Sequence, residues 1–394
     1  GKYQATITAG STPEIVTLTP KFRDNIFNQA QVTFVADTHS AIIAQGGLTV
    51  IKNHAPADGK SQNKIQVIVT DINTNRIPNY PVSFTADNGA TIIGQKNTDS
   101  EGKIIVPITN IHIGKSEIGV NVNNITYSTD VDFIADANSA KINTFTINPN
   151  SSFANGTDEK LITFNIIDKN NNPVSNTQIQ LSADNQAQLK ETELLTDSHG
   201  NASTTMTSKI SGAVTVTALV NKVTTKKTTQ FIADLSNGKI ISVTPSTPPY
   251  IADGNTPVIF TAIVKDKNHN VIPNAKVIWS TNRDQSIVGI NEVSTTDNQG
   301  IAKTIVTSTH AFDVIVTARL SNESFDAKPI SFIANNQHGL ITLTSNKTQL
   351  VADNTEQAIL TAVVKDKFGN KLPNVTVKWQ SNASATLDKQ KSVT

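Results

Sequence analysis

The chain has no cysteine in its 394 residues. That excludes disulfide staples and zinc–thiolate sites. It leaves the compartment open, because a domain with enough core can live outside the cell without them. Apolar runs are short, and none approaches the roughly 20 residues a membrane helix needs. Charge is nearly balanced, with 33 basic and 32 acidic residues for a net +1. There is no basic stripe or acidic tail, so neither nucleic acid nor an anionic membrane surface is implied as a partner. Aromatics make up only 5%, few for the anchors of a binding hot spot. Leu and Glu are scarce, and no sustained period of 3.6 appears. No signal peptide is visible and residue 1 is Gly, so the chain reads as a piece of a longer one.

Val, Ile, Thr and Asn are plentiful, which favours strands joined by Asn- and Asp-bearing turns. One stretch then recurs. Residues 264–279 read Val-Lys-Asp-Lys-Asn-His-Asn-Val-Ile-Pro-Asn-Ala-Lys-Val-Ile-Trp, and 364–379, 69–84 and, more loosely, 166–181 repeat the pattern. The aligned aspartates Asp71, Asp168, Asp266 and Asp366 lie 97, 98 and 100 positions apart. Thirteen residues after each comes a large apolar residue: Phe84, Leu181, Trp279 or Trp379. A fixed offset at a period near one hundred means one folding unit in tandem, large enough to bury its own core.

Residues 236–336 serve as the type unit. A first strand is expected at 239–243. Ala252-Asp253-Gly254 is a turn, since Asp caps its own backbone and Gly tolerates positive φ. Val258, Phe260, Ala262 and Val264 alternate with polar or outward positions, the period of two that marks a strand. A polar loop over 266–274 leads to a strand carrying Val277 and Trp279 on one face. Thr296-Asp297-Asn298-Gln299-Gly300 is a second turn, followed by alternation at 302–306, 314–318 and a closing strand at 330–333. About seven strands with turns every 8–12 residues read as an all-β sandwich. The copies fit: Ala57-Asp58-Gly59, Ala154-Asn155-Gly156 and Ala352-Asp353-Asn354 at the first turn, Asp99 to Gly102 and Asp197 to Gly200 at the second, and Phe-x-Ala-Asp ending at Asp37, Asp136 and Asp234.

The expected division is therefore 1–38, the back half of a unit; 39–137, 138–235 and 236–336, three whole units; and 337–394, a front half. Short connectors without a Gly/Ser run predict limited hinge freedom. The two end segments together hold 96 residues, close to one repeat. Two readings of that arithmetic stand: the halves pair between neighbouring molecules to rebuild one sandwich, or the ends are where the chain is cut.

The Ala-Asp-Gly turn, the Val-x-Asp-x-x-x-Asn-x-x-Pro-Asn stretch, the Thr-Asp-x-x-Gly turn and the closing Phe-Ile-Ala-Asp together resemble the bacterial immunoglobulin-like domain of the intimin/invasin adhesins. The resemblance covers nearly the whole chain. One departure is Pro173, two positions early, with Ser175 where the others have Pro78, Pro273 and Pro373; a differently shaped loop over 168–176 is expected. The resemblance implies a Gram-negative inverse autotransporter, with an outer-membrane β-barrel, a string of such domains projecting outward and often a lectin-like tip. Neither barrel nor lectin-like segment is among these residues, so part of an extracellular passenger is expected, touching the membrane only through a barrel elsewhere.

No catalytic or cofactor-binding residue is expected. The seven histidines, His39, His54, His112, His199, His269, His310 and His338, are scattered over different repeats. Asp197-Ser198-His199 spells a triad, yet neighbours in a tight turn cannot align as nucleophile, base and orienter. Calcium at the junctions would need Asp58, Asp253 or Asp353 with Asp136 or Asp234; two carboxylates fall short of six to eight oxygens, so turn capping is expected and no metal. Trp279 and Trp379 are expected in cores rather than stacking on sugars. Tyr250, after Pro248-Pro249, is expected to pack one domain end on the next. Lys226-Lys227 reads as protection of a strand edge. The function expected is a non-enzymatic stalk at the cell surface, projecting an adhesive tip. The alternative is that one of these domains itself binds a host cell-surface or extracellular-matrix protein.

Overall fold

The computed structural model describes residues 1–321, 323–383 and 385–394, and almost all of its regular structure is strand. Three buried cores follow one another along the chain, each confined to one hundred-residue stretch. A smaller fourth cluster gathers Val364, Leu372 and Val377 with Trp379 packed on it. The central strands of the three sandwiches obey the period-two rule. Val258, Phe260, Ala262 and Val264 are buried, whereas Ile259 is 41% exposed on the opposite face. Burial of each such side chain stabilises by about 1.5–3 kcal/mol, so alternation alone decides which face of the strand turns inward.

In the third sandwich one sheet runs in the order Val288–Ile290, Ile301–Ser308, Val258–Lys265, Lys239–Pro245. Facing it are Val293–Thr295, Lys276–Thr281, Val316–Arg319 and Ser324–Asp326, together with Tyr250–Ile251, Ile330–Ile333 and Asp313–Val314. The other sandwiches repeat this arrangement. Trp279 is fully enclosed, and its Nε1 donates to Ser294 Oγ at 2.8 Å. Trp379 Nε1 makes the same bond to Ser392 Oγ at 2.8 Å. The two tryptophans therefore occupy equivalent places, as the fold reading requires. The shortest strands, such as Tyr250–Ile251 and Val288–Ile290, escape sequence reading because two or three residues carry no period.

The proline loop corrects one expectation. The 168–176 loop has the shape of its siblings despite Pro173. Val174 N donates to Ile166 O at 3.0 Å, as Ile272 N does to Val264 O at 3.1 Å. Asn176 and Asn274 share a left-handed φ of 53° and 57°. In the sibling loop the bonds are donated by Asn270 and Ile272, on either side of the Pro173 position, so a proline there removes no bond.

The second turn locks this loop to the sheet. Buried Thr98, Thr196 and Thr296 each donate Oγ1 to a loop carbonyl, Ile77, Val174 and Ile272, at 2.7, 2.6 and 2.6 Å. Thr394 does the same to Leu372 O at 2.6 Å. The glycine that follows cannot be replaced cheaply. Gly300 has φ +72°, and a Cβ there would stand 2.6 Å from Val264 O.

Gly300→Ala is expected to destabilise the third sandwich by about 1–3 kcal/mol, the cost of a left-handed residue with a side chain. In a Trp379→Phe background, Trp279 fluorescence reports this sandwich alone. Its denaturant midpoint should fall; an unchanged midpoint contradicts the close approach.

Candidate functional site

The side-chain chemistry that recurs in every copy lies at the junctions between sandwiches. Its centre is the aspartate of the repeated stretch and the asparagine four residues later: Asp71/Asn75, Asp168/Asn172, Asp266/Asn270 and Asp366/Asn370. The aspartates are buried. At Asp266, Oδ1 accepts Asn268 N at 2.8 Å and Asn270 N at 2.9 Å, which curls the loop around the carboxylate. Oδ2 accepts Asn270 Nδ2 at 2.9 Å and Asp234 N at 3.2 Å. Asp234 ends the preceding sandwich, so one carboxylate ties its own loop to the incoming chain. Asp168 accepts the equivalent four donors, including Asp136 N at 3.2 Å. Asp366 repeats the set with Asn335 N at 3.2 Å, and Asp71 with Asp37 N at 3.1 Å.

The asparagine completes the clasp across the junction. Asn270 Nδ2 donates to Lys209 O at 2.9 Å, and Asn270 Oδ1 accepts Ser211 N at 2.8 Å, both in a loop of the preceding sandwich. Asn370 grips Thr309 O and Ala311 N, each at 2.9 Å. Asn172 bonds Ile111 O at 2.9 Å and Ile113 N at 3.4 Å. Asn75 donates to Ser11 O at 2.7 Å. A second bridge runs from Asn170 Nδ2 to Ala57 O and from Asn268 Nδ2 to Ala154 O, both at 2.8 Å. At the next junction Phe368 holds that position, with its ring beside Gly254.

The connector is fixed as well. Asp37, Asp136 and Asp234 cap one-turn 3₁₀ helices at Thr38–Ser40, Ala137–Ser139 and Leu235–Asn237. Asn335 accepts Gln337 N at 3.0 Å in the same manner. The residue that closes one sandwich thus caps the connector with its side chain and feeds its N–H to the next clasp.

The carboxylates weighed as calcium ligands spend their oxygens on their own turns. Asp58 accepts Lys60 N, Ser61 N and Ser61 Oγ at 2.7, 2.6 and 3.0 Å. Asp253 accepts Asn255 N, Thr256 N and Thr256 Oγ1 at 2.9, 2.7 and 2.7 Å. Asp353 accepts Thr355 N and Glu356 N at 2.8 and 2.9 Å. The charge near them comes from the next repeat. Lys169 Nζ is 4.0 Å from Asp136 Oδ2. Burial pushes the Asp58 carboxyl up, but bonds from Ser61 and Lys60, with the Lys169 charge, outweigh it and leave it below the ordinary value. Among the described residues, no three or more His, Asp or Glu side chains gather as a metal site would require.

Other singled-out residues find ordinary places. Ser198 Oγ lies 3.2 Å from His199 Nδ1, while Asp197 accepts the backbone N–H groups of His199 and Asn201, both at 2.8 Å. The third member of a triad is therefore turned to the backbone. Lys226 and Lys227 sit on Val223–Ile232, whose register with Ser151–Phe153 begins only at Gln230, and Lys227 Nζ donates to Phe145 O at 2.8 Å. Tyr250 corrects an expectation: it packs on Phe332 of its own sandwich, ring centroids 6.4 Å apart, and its hydroxyl donates to Ser246 O at 2.8 Å. A two-residue strand beside the closing strand holds it there, away from the neighbouring sandwich. The asparagines are what sequence reading missed. Their signal was present, an Asn four residues after each aligned Asp, but it looked like turn chemistry alone.

Among known proteins, the family described as bacterial Ig-like domain (group 1) matches residues 45–134, 142–232, 240–333 and 340–394. The inverse autotransporter adhesin YeeJ of Escherichia coli K12 is 26% identical over 393 residues, 96% of this chain. Intimin of Citrobacter freundii is 25% identical over 221 residues, 54% of this chain. The chain spans 16% of the first relative's length and 23% of the second's. The crystal structure of invasin, titled a bacterial integrin-binding protein, aligns with 80% of this chain and 66% of its own at 21% identity, TM-score 0.46. Among the described residues, no helix is long and apolar enough to cross a membrane, which says nothing of a β-barrel.

Two outcomes check the clasp. Asn270→Ala should strip hydrogen-exchange protection from Ser211 N while the strand amides of both flanking sandwiches keep theirs, because the lost bonds cross the junction. A weakening on the order of 1–3 kcal/mol is expected for the polar groups left unpaired; retained Ser211 protection contradicts the clasp. The second outcome concerns pH. Burial pushes the Asp71 and Asp366 carboxyls up, but bonds from Asn75 and Asn370 and from backbone N–H groups outweigh it and hold both below the ordinary 3.8. A carboxyl lowered in the folded state contributes stability that is complete above the ordinary value and lost as pH falls through the lower, folded one. Protection factors of Asp37 N and Asn335 N should therefore stay level from neutral pH to about 4 and decline only below that. A decline already near pH 6 contradicts it.

Proposed function

The chain belongs to the bacterial Ig-like domain (group 1) family, and from that premise we propose that it works without catalysis, as part of the extracellular stalk of an outer-membrane adhesin of the intimin/invasin type. The observation that carries the reading is the recurrence of one clasp at every junction. A chain that only displayed a binding face would need its sandwiches folded, not fastened to each other. Fastening serves reach: strands of about 7–9 residues at 3.4 Å, with loops, give each unit roughly 35–45 Å, and four units held in line about 150 Å. The match of nearly the whole chain to YeeJ, whose name is inverse autotransporter adhesin, supports the same assignment. The cell surface of a Gram-negative bacterium is then its place, anchored through a β-barrel outside these residues, with a host surface or matrix protein as the partner of the tip.

Direct binding by one sandwich is the second reading, and one observation favours it. Pro245, Pro248, Pro249, Tyr250 and Pro329 line a shallow apolar cleft on the third sandwich. The matching cleft on the second pairs Pro149, Phe153 and Ile232 with Ser151, Ser152, Asp158 and Glu159. A cleft with four prolines and a tyrosine where its sibling carries two carboxylates is the kind of repeat-specific apolar surface a binding face needs.

Small-angle scattering separates a stiff stalk from a flexible string. The maximum dimension of the whole chain should approach 150 Å, the reach estimated above, and shorten in a variant with Asn172, Asn270 and Asn370 all changed to Ala. Equal dimensions for the two proteins contradict the stalk reading. Host-cell binding by the isolated chain that is lost on Tyr250→Ser supports the direct-binding reading in its place.

A further inference from the structure

In each of the three sandwiches the opening segment breaks, and its second piece crosses to the other sheet. There it pairs in parallel with the closing strand. Ala55–Pro56 meets Phe133–Ile134, Ser151–Phe153 meets Gln230–Ile232, and Tyr250–Ile251 meets Phe332–Ile333. Among the described residues the other ladders are antiparallel. The bonds are short: Ala57 N to Ile134 O and Ala154 N to Ile232 O at 2.7 Å, Ala252 N to Ile333 O at 2.8 Å. The closing strand leads directly into the outgoing connection, and the parallel piece is reached from the incoming connection through the first piece, which pairs antiparallel with its neighbour. Tension that passes the first piece pulls the second piece by its amino end and the closing strand by its carboxyl end. In a parallel pair those pulls slide one strand along the other, so every bond is loaded together and none opens first.

Each patch carries a side-chain fastener, and the three differ in chemistry. In the first sandwich buried Asn63 accepts Ala55 N at 2.9 Å and donates to Asp132 O at 2.8 Å, bonding both strands at once. In the second the equivalent position is Lys160, placed by the same register against the neighbouring strand. Its Nζ is buried, donates to Pro149 O at 2.8 Å and lies 5.0 Å from the centre of the Phe231 ring on the closing strand. Burial pushes the lysine pKa down. In the third the position holds apolar Val258, and Tyr250 takes over, its ring packed at a tilt against Phe332 and its hydroxyl bonding Ser246 O. Val258 demonstrates that the core can be filled there without an ammonium, and an ammonium is costly to bury. Core packing therefore does not account for Lys160, whereas a tie between the opening segment and the closing strand does.

We propose that this parallel patch with its fastener is where each sandwich bears tension, and that Lys160 serves mechanical hold rather than equilibrium stability. The purpose of such a device rests on the stalk reading, since a stalk stands between an anchor and an attached tip. The mechanical claim is measured separately from the scattering test, so the two can fail independently.

Pulling the full chain by its ends in a single-molecule force clamp tests it, because forced unfolding reads the unfolding rate. Three high-force events are expected. Lys160→Met keeps length and removes the ammonium. One third of the events should then unfold roughly tenfold faster at the same force, the effect of losing a charge-assisted hydrogen bond. Hydrogen-exchange protection of the second sandwich's Lys160–Ile167 strand should meanwhile hold or rise. Unchanged rates for all three events overturn the proposal, and so does a loss of exchange protection in proportion to the faster rate. If Lys160→Met removes the event by misfolding, Asn63→Leu decides: losing the bonds to Ala55 N and Asp132 O should speed the first sandwich's event, and no change overturns the proposal.

Discussion

A buried carboxylate with four N–H donors is the constraint on which this molecule depends. Taking an isolated carboxylate out of water is costly, and only a full set of donors offsets it. Asp266 finds three in its own five-residue loop and the fourth in the chain arriving from the previous sandwich. The fourth bond makes a local turn into a junction. A loop that needed only three donors would fold equally well on a free sandwich; one that needs four is completed by a neighbour at a fixed place. Asn270, held by the same carboxylate, is then pre-oriented to bond backbone groups of that neighbour, with little side-chain freedom left to lose.

Variation between junctions tells which parts are essential. The fourth donor is a backbone N–H, so its residue can change: Asn335 stands where Asp136 and Asp234 stand elsewhere, and still donates. The outer bridge changes character, from the amides of Asn170 and Asn268 to the ring of Phe368. The central Asp and Asn do not vary among the four copies. Their geometry needs a carboxylate with two accepting oxygens and an amide that both gives and takes, and no other pair of side chains supplies both at that reach.

Most of the sandwich was legible because period two and turn chemistry are local. Val258–Lys265 and Ile330–Ile333 could be read to the residue, and the tryptophan offset placed Trp279 and Trp379 in equivalent cores. What could not be read shares one cause. Asn270 bonds Lys209 O and Ser211 N, and backbone groups leave no mark on the sequence that supplies them. Tyr250 followed its two prolines in the text, but a parallel pairing of two residues sets where its ring goes. Pro173 looked disruptive only because the unused N–H at its position is invisible until the loop's donors are known.

The two systems divide the loads a tandem chain meets. Bending opens a junction on one side, and the clasp resists it with bonds spread around the connector: the aspartate inside, the asparagine and the outer bridge on the neighbouring loop. Tension enters a sandwich through its opening segment and leaves by its closing strand, and parallel pairing of that segment's second piece with the closing strand makes those bonds share it. Neither system can substitute for the other. A clasp bond pulled along the chain would be loaded singly, and a parallel patch inside one sandwich does not restrain the angle to the next. The same closing strand belongs to both, with Ile232 bonding Ala154 N and Asp234, two residues on, entering the next clasp. Force leaving one sandwich therefore enters the next through an anchored residue rather than through a loose connector, which is the physical reason a hundred-residue repeat can act as one rod.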